Sequence, residues 1–467
     1  MSEIRFGTDG WRGRMGREFS FLNVRRFATA YASYLARRMR ITEPRVFINF
    51  DTRILSHRFA MEAARVFSLH GVNSYIPPRD VPLAAASLAI VNEKLDGGVA
   101  FTASFNRPVY NGIKVFNAGG APALPSTTTL IEREIEALPA NWDSPRQYAR
   151  QSMIHEIQVR EPYLQMITEK IDFAVIRAAG LRIVVDNLFG ASREFLDELL
   201  LSNGVPIDAI HSYPYAAHGR VIPYCSGKTL ADLARVVRET NADVGLATDI
   251  DGDRFGIIDN RGRFLDANNV IPMLIDYLVR VRGMRGGVVK SISSTRNIAH
   301  VAQHHSCKVY HTPVGFKYIS DMMSKREAFI GVESTNGAAL QGKAVIKDGI
   351  LFNLLVVEMM AREGKNLPEL TAAFYKRFPM LYAQEVSVRL TPVRRQRLLE
   401  LIENHQGIDP GFKVVRVQLV DGIKWIGRDE WLLVRPSGTL NVMRIYAEST
   451  SRKKTRQLIA QGRRILG

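Results

Sequence analysis

Apolar residues in this chain fall in short continuous runs, each followed by a stretch where they recur at helical spacing. "RVFINFDTRILSHRFAMEAARVFSLHG" (45–71) predicts a buried strand, a polar turn and an amphipathic helix. "LRIVVDNLFGASREFLDELLLSNG" (181–204) repeats that grammar, with Gly204 as a C-cap, and "GGVVKSISSTRNIAHVAQHHSCKV" (286–309) repeats it again. Continuous β-branched runs linked by helices are the mark of mostly parallel sheets covered on both faces. Three such units in tandem predict three similar α/β domains. After Pro379 the pattern changes: "AQEVSVRL", "KVVRVQLVDGIKWIGR" and "EWLLVRPSGTLNVMRIYAES" read as strands joined by turns, and "RKKTRQLIAQGRRIL" closes as a helix. The prediction is therefore an α/β protein with mixed, mostly parallel sheets and a smaller C-terminal α+β domain. Its domains would span 1–155, 156–259, 260–379 and 380–467.

Composition changes this picture little. A chain of 467 residues is too long for one core, and 46% hydrophobic with 23% charged residues is ordinary for a globular protein. The start "MSEIRFGTDG" lacks the apolar core of a signal peptide, and no apolar run approaches a membrane span. Two distant cysteines, Cys225 and Cys307, argue against a disulfide framework or zinc ribbon and for a cytoplasmic protein. Net charge matters more. At +17 the chain suits anionic partners, but its basic residues lie in short runs such as "LARRMR", "VRRQR" and "SRKKTRQ", in helix-like stretches. With no nucleic-acid-binding motif, a phosphorylated metabolite is the better partner, and neither nucleic acid nor a membrane is expected.

Several loops could bind one. In "LATDIDGDRFGIID" (246–259) a strand delivers Asp249, Asp251 and Asp253 at alternate positions, then Arg254. Three carboxylates this close repel unless a hard cation such as Mg²⁺ joins them. EF-hand spacing is excluded, because the glycine is fourth rather than sixth and Asn260 stands at position twelve. An aspartyl-nucleophile phosphatase loop and a solvated aspartate turn remain alternatives. "VRPSGTLNVMRIY" (434–446) offers Arg435, Ser437, Gly438, Thr439 and Arg444 as an anion cradle, although a simple hairpin has the same look. "GVAFTASFNRPVYNGIKVF" (98–116) ends an apolar run at Ser104 and closes on Lys114. "RFGTDGWRGRMG" (5–16) carries Arg12, and "FIGVESTNGAALQGKAVIKDGI" (329–350) carries Glu333 and Thr335.

Together, and in this order, these loops resemble those of the α-D-phosphohexomutase superfamily, the phosphoglucomutases and phosphomannomutases. "FGTDGWRG" looks like the family's N-terminal loop, "TASFNRPVYNGIK" its phosphoserine loop and "DIDGDR" its metal loop. "TPVGFKYI" (312–319) is similar to the loop with a substrate lysine, here Lys317, "GVESTNG…KDGI" to the sugar loop and "RPSGT" to the phosphate loop. The resemblance spans nearly the whole chain. It implies four domains around a central cleft, each giving one loop. Ser104 would carry a phosphoryl group beside Mg²⁺ held by Asp249, Asp251 and Asp253, with Ser104 itself a ligand. Arg12 and Lys114 would stabilise the transferring group or exchange a proton. Arg254, Lys317, Glu333, Ser334, Thr335 and Lys343 would contact the sugar, and Arg435, Ser437, Gly438, Thr439 and Arg444 its other phosphate. The reaction implied is interconversion of hexose 1-phosphate and 6-phosphate, of glucose or mannose, through a hexose 1,6-bisphosphate that also serves as activator. The protein would be a monomer or homodimer.

The chain also departs from the family pattern. The family's histidine after the nucleophile is Phe105, and a proline is Arg107. A phenylalanine cannot share a proton, so Lys114 or Lys343 would have to replace it. In the sugar loop Glu-Glu-Ser-Gly becomes Glu333-Ser334-Thr335-Asn336, leaving Ser334 and Thr335 as alternative hydroxyl partners, and Gly-His becomes Gly342-Lys343. Beyond RPSGT the usual Glu-Pro is Leu440-Asn441. A hexose-1,6-bisphosphate synthase and a non-catalytic sugar-phosphate-binding paralogue are the competing readings.

Overall fold

The computed structural model describes residues 4–139, 142, 148–215, 222–404, 408–438 and 441–467. The chain divides into two compact units, residues 1–266 with 335–369, and residues 267–334 with 370–467.

The first unit holds two mixed sheets. In one, the strands run in the order Trp11–Arg14, Tyr110–Asn117, Gly97–Phe101, Arg45–Phe50, Asn73–Ile76, Ile154–Glu156. The inner pairings among Arg45–Phe50, Asn73–Ile76 and Gly97–Phe101 are parallel, whereas Tyr110–Asn117 runs antiparallel to both of its neighbours. Arg45–Phe50 and Gly97–Phe101 are buried nearly end to end, as their unbroken apolar runs require. Helices Phe21–Ser33 and Ser56–Leu69 close a core around Phe27, Tyr31, Phe59 and Phe67. Because the two parallel strands end side by side, with Phe50 opposite Phe101, the segments starting at Asp51 and Thr102 leave from one edge. That edge is where open α/β sheets place their ligands.

The second sheet orders Phe264–Leu265, Phe255–Asp259, Val244–Thr248, Ile183–Asp186, Ile207–Ile210. Val244–Thr248 pairs in parallel with Ile183–Asp186 and antiparallel with Phe255–Asp259, so the three aspartates lie in a hairpin loop. Gly252, at φ +70°, makes the turn possible; a Cβ there would meet Ser192 Oγ at 2.7 Å and Pro82 Cβ at 3.0 Å. The helix Gly349–Glu363 is held to this sheet by Asn353, whose amide donates to the Ala247 carbonyl at 2.8 Å.

In the second unit, Val309–Thr312, Gly287–Ser291 and Ala328–Val332 form parallel strands. The C-terminal part is antiparallel, in the order Tyr382–Arg389, Val442–Ser449, Trp431–Pro436, Ile423–Ile426, Arg416–Gln418, covered by helix Arg452–Leu466. It also contains a helix, Pro392–Glu403, that the hydrophobic pattern did not announce, since Leu398 and Leu401 are its only buried residues. Local chemistry starts it: Thr391 caps the Arg394 N–H and Pro392 sits in the first turn. Among the described residues no helix is long and apolar enough to cross a membrane.

Candidate active site

Ser104 leaves the strand Gly97–Phe101 in a left-handed turn, φ +47°, and is fully buried. A serine at that φ is strained and needs support from its surroundings. Its N–H donates to Thr102 Oγ1 at 2.9 Å, and Thr102 Oγ1 donates to Asp251 Oδ2 at 3.2 Å. Its carbonyl accepts from Arg53, whose guanidinium also reaches the carbonyls of Asn106 (2.7 Å), Arg107 (3.1 Å) and Tyr110 (3.2 Å). Behind it, Arg53 Nε lies 3.2 Å from Asp51 Oδ2. One buried guanidinium thus pins the loop 104–110 to the strand Arg45–Phe50.

The hydroxyl faces charge. Ser104 Oγ donates to Asp249 Oδ2 at 3.1 Å and accepts from Arg254 Nη1 at 2.7 Å. Asp249, Asp251 and Asp253 are all buried, each with a carboxylate oxygen within 4.8 Å of the others. Burial and the two neighbouring carboxylates push Asp249 up to about 8. Lys114 Nζ bridges Asp251 (2.9 Å), Asp253 (3.0 Å) and Asp9 (3.2 Å), and Lys347 Nζ lies 2.9 Å from Asp253. Burial opposes charge on Lys114, but Asp251, Asp253 and Asp9 outweigh it and hold the ammonium far above its usual range. Lys114, Lys347 and Arg12 likewise overcome burial to keep Asp9 well below the carboxylate range. The triad fits a hard divalent cation. Two of its buried oxygens, Asp251 Oδ1 and Asp253 Oδ1, accept no hydrogen bond, and all its donors are carboxylate oxygens.

Phe105 is built into this cluster. Its ring lies 4.6 Å from the Arg254 guanidinium carbon and 5.3 Å from that of Arg12, and packs on Tyr224 with centroids 5.3 Å apart. Where the family pattern has a proton-sharing ring, this chain has an aromatic face between two guanidiniums. Arg12 also donates to Asn106 Oδ1 at 2.9 Å and pairs with Asp9 at 3.1 Å.

Of the residues singled out from sequence, Ser104, Lys114, Arg12, Asp249, Asp251, Asp253 and Arg254 come together. Arg254 lies against the nucleophile rather than apart from it. Thr335 contributes through its backbone, its carbonyl accepting from Arg254 Nε at 3.1 Å. Lys343 is a different case: it is exposed on a cavity of about 390 Å³ also lined by Gln165, Lys170 and Asp348, and Lys347 is the lysine among the aspartates. In the second unit Lys317 is buried in the first turn of Phe316–Lys325, Glu333 is buried just after Ala328–Val332, and Ser334 Oγ lies 3.0 Å from Ser293 Oγ. Arg435 pairs with Asp421 at 2.8 Å, the Ser437 N–H donates to the Val442 carbonyl, and Gly438 is exposed. Arg444 is taken up by an ion pair with Glu385 on the adjacent strand. Thr439 lies outside the described residues.

Sequence reasoning missed Asp9, Arg53, Asn106 and Lys347 as members of the site. Asp9 and Lys347 stand in loops already noted for other residues. Arg53 had a signal of its own: "FDTR" puts a charged pair directly after a buried strand, at the sheet edge where Ser104 also emerges.

Four family models cover most of the chain. Those for phosphoglucomutase/phosphomannomutase α/β/α domains I, II and III match residues 3–141, 161–262 and 266–378, and the C-terminal domain model matches 390–464. A phosphoglucomutase/phosphomannomutase of Thermococcus kodakarensis is 27% identical over 99% of this chain and 98% of its own length. A phosphoglucosamine mutase of Coxiella burnetii is 27% identical over 98% of this chain and 97% of its own. A crystal structure from Thermus thermophilus, provisionally described as a phosphomannomutase, superposes with a TM-score of 0.87 at 28% identity, covering both chains completely.

Proposed function

Since the chain belongs to the phosphoglucomutase/phosphomannomutase family and is an isomerase of the phosphohexomutase type, we propose that it moves phosphate between the 1 and 6 positions of glucose or mannose through a phosphorylated Ser104. The observation that carries this reading is the environment of Ser104 Oγ: 2.7 Å from Arg254 Nη1 and 3.1 Å from Asp249 Oδ2, in a carboxylate triad of which two oxygens accept no hydrogen bond.

The phosphoserine is the donor in the first half-reaction. A sugar hydroxyl attacks its phosphorus, the bond from phosphorus to Ser104 Oγ breaks, and a hexose 1,6-bisphosphate forms. In the second half-reaction Ser104 Oγ, its proton directed at Asp249 Oδ2, attacks the other phosphate. The bond from that phosphorus to the sugar oxygen breaks, and the released oxygen takes up the proton as the product's hydroxyl. Such transfers depend on positioning and charge neutralisation more than on a strong base. Mg²⁺ held by Asp249, Asp251 and Asp253 would supply Lewis-acid stabilisation of a phosphoryl oxygen. Arg254 donates to Oγ, the atom that gains charge as it leaves. Lys114 acts as a fixed cation and not as a proton shuttle, because three carboxylates hold its proton. Around Ser104 stand the carboxylates Asp9, Asp249, Asp251 and Asp253 and the cations Arg12, Lys114, Arg254 and Lys347, so once Asp249 is ionised as a metal ligand the protein charges balance. A divalent cation and a phosphoserine of about −2 charge would then add as a neutral pair.

Lys317, Glu333 and one hydroxyl of Ser334 or Thr335 are proposed sugar contacts, and Arg435, Ser437, Gly438 and Thr439 the binders of the non-reacting phosphate. The four-domain division near residues 155, 260 and 380 belongs to the same proposal, as does hexose 1,6-bisphosphate as activator. Relatives named for phosphoglucosamine make glucosamine phosphate the competitor to assay beside glucose and mannose. The test is incubation with glucose 1-phosphate, Mg²⁺ and a trace of glucose 1,6-bisphosphate. Glucose 6-phosphate should appear, and intact mass should report a phosphate ester lost in Ser104→Ala. Full turnover by Ser104→Ala would refute the mechanism.

A further inference from the structure

The second unit contains a cavity of about 210 Å³ that takes no part in the reaction proposed above. Lys290, from strand Gly287–Ser291, and Lys424, from Ile423–Ile426, meet at its floor and are 2% and 5% exposed. Among the described residues, neither pairs with a carboxylate. Lys290 Nζ donates to the Ser294 carbonyl at 2.8 Å, and Lys424 Nζ donates to the Ile292 carbonyl and lies 3.8 Å over the Trp431 ring. An ammonium has three N–H donors, so each buried lysine retains donors beyond its carbonyl. Arg296, Arg416, His300 and His311 line the rest of the wall. The nearby carboxylate of Glu448 accepts from Trp431 Nε1 at 2.8 Å and from the Arg296 N–H at 3.0 Å, and does not line the cavity.

This arrangement is costly for the protein alone. Two lysines are buried with no carboxylate in contact, Glu448 acting on both only from beyond hydrogen-bond reach, and burial of a poorly compensated charge is unfavourable. Burial, only partly opposed by Glu448 and helped by Arg296, lowers Lys290 to about 8, and burial together with the Lys290 charge outweighs Glu448 and holds Lys424 well below its usual range. Burial and the two lysines bring His311 down to about 4. A group carrying two negative charges would relieve all of these at once and take up the idle donors. At about 210 Å³ the space has room for a tetrahedral oxyanion. The cavity shares no residue with the Arg435–Gly438 loop. From Trp431 to Arg435 is four residues along one strand, about 13 Å.

We propose that this cavity is a second anion site, built to take a phosphate-class dianion, either inorganic phosphate or the phosphoryl end of a phosphomonoester, between Lys290, Lys424 and Arg416. The test uses full-length protein carrying Arg435→Gln, to remove phosphate binding at the proposed substrate loop. Inorganic phosphate is titrated at ionic strength held constant with sodium chloride, and the thermal midpoint and heat of binding are read. Phosphate should still raise the midpoint and bind with one-to-one stoichiometry. Adding Lys424→Met should abolish this binding, and adding Arg416→Gln, at the exposed rim where folding is not at stake, should weaken it at least tenfold. Glucose 6-phosphate in place of inorganic phosphate separates the sources: an equal effect means a phosphomonoester enters, no effect means the site takes the free ion. An Arg435→Gln protein blind to phosphate, an equal rise with chloride alone, or phosphate binding unchanged by both cavity substitutions would overturn the proposal.

Discussion

Arg53 offers the sharpest test of how the nucleophile is held. Its guanidinium serves the carbonyls of Ser104, Asn106, Arg107 and Tyr110 and faces Asp51 from 3.2 Å. In Arg53→Met these acceptors lose the guanidinium, although the Arg107 carbonyl keeps the Tyr110 N–H at 3.0 Å. Arg107 is exposed, so water can replace what it loses; Asn106 and Tyr110 are half-buried, and Ser104 is fully buried. A buried acceptor left unsatisfied costs about 1–3 kcal/mol, and with the two half-buried carbonyls adding about as much again the total is roughly 2–6 kcal/mol. Asp51, already pushed up by burial, would take a proton instead of remaining as an unpaired charge. An expected loss near ~4 kcal/mol is a large share of a typical stability of about 5–15 kcal/mol. Arg53→Lys keeps the charge opposite Asp51 but not the planar fork, so it should cost about 1–3 kcal/mol and still fold. Its informative effect is kinetic. A loop free to shift by about 1 Å lowers turnover by up to about 100-fold. Urea denaturation gives the first number and coupled glucose 6-phosphate formation the second, with KM for glucose 1-phosphate little changed. An Arg53→Lys protein matching wild type in both denaturation midpoint and kcat would refute the account.

Three further expectations can be checked alongside it. Phe105→Leu keeps the volume but loses the aromatic face toward Arg12 and Arg254, two contacts worth about 0.5–1 kcal/mol each, so kcat/KM should fall about 5- to 30-fold; equality with wild type would show the ring to be mere filler. Chelation of divalent cations should abolish turnover and lower the thermal midpoint, since a cation at 100 times its Kd adds about 2.7 kcal/mol, and Asp251→Asn should make the midpoint insensitive to chelator. The hydrogen bond from His211 to Asp186 at 3.0 Å raises the imidazole pKa despite partial burial. A folded pKa above the unfolded value means stabilisation fully present below about pH 6.5 and lost as pH rises through the raised value. The stability gap between wild type and His211→Asn, a residue that tolerates the local φ of +51°, should therefore shrink as pH rises, and a gap that widened would reverse the assignment.

Much of the molecule could be read from its order of residues. Buried strands such as Arg45–Phe50 and Val244–Thr248 declare themselves because a strand covered on both faces must be apolar throughout. The aspartate hairpin declares itself because Asp249, Asp251, Asp253 and Gly252 sit within a few residues, where charge crowding and turn geometry are local facts. Helix Pro392–Glu403 escaped because it buries only two residues and so leaves no amphipathic stripe. What only the tertiary structure decided is which side chain meets which. Lys114 stands inside strand Tyr110–Asn117 and Lys347 in a loop, yet both reach Asp253, whereas Lys343 is exposed on a cavity. Arg53 looks like a turn residue until the sheet places it under the Ser104 loop, 51 positions away. Phe105 read as a lost histidine, and only packing revealed the two guanidiniums at its face. The physical reason is the same in each case. Periodicity and turn chemistry act over a few residues and are written along the chain, while hydrogen bonds and ion pairs between distant segments depend on strand order and register, which no local pattern specifies.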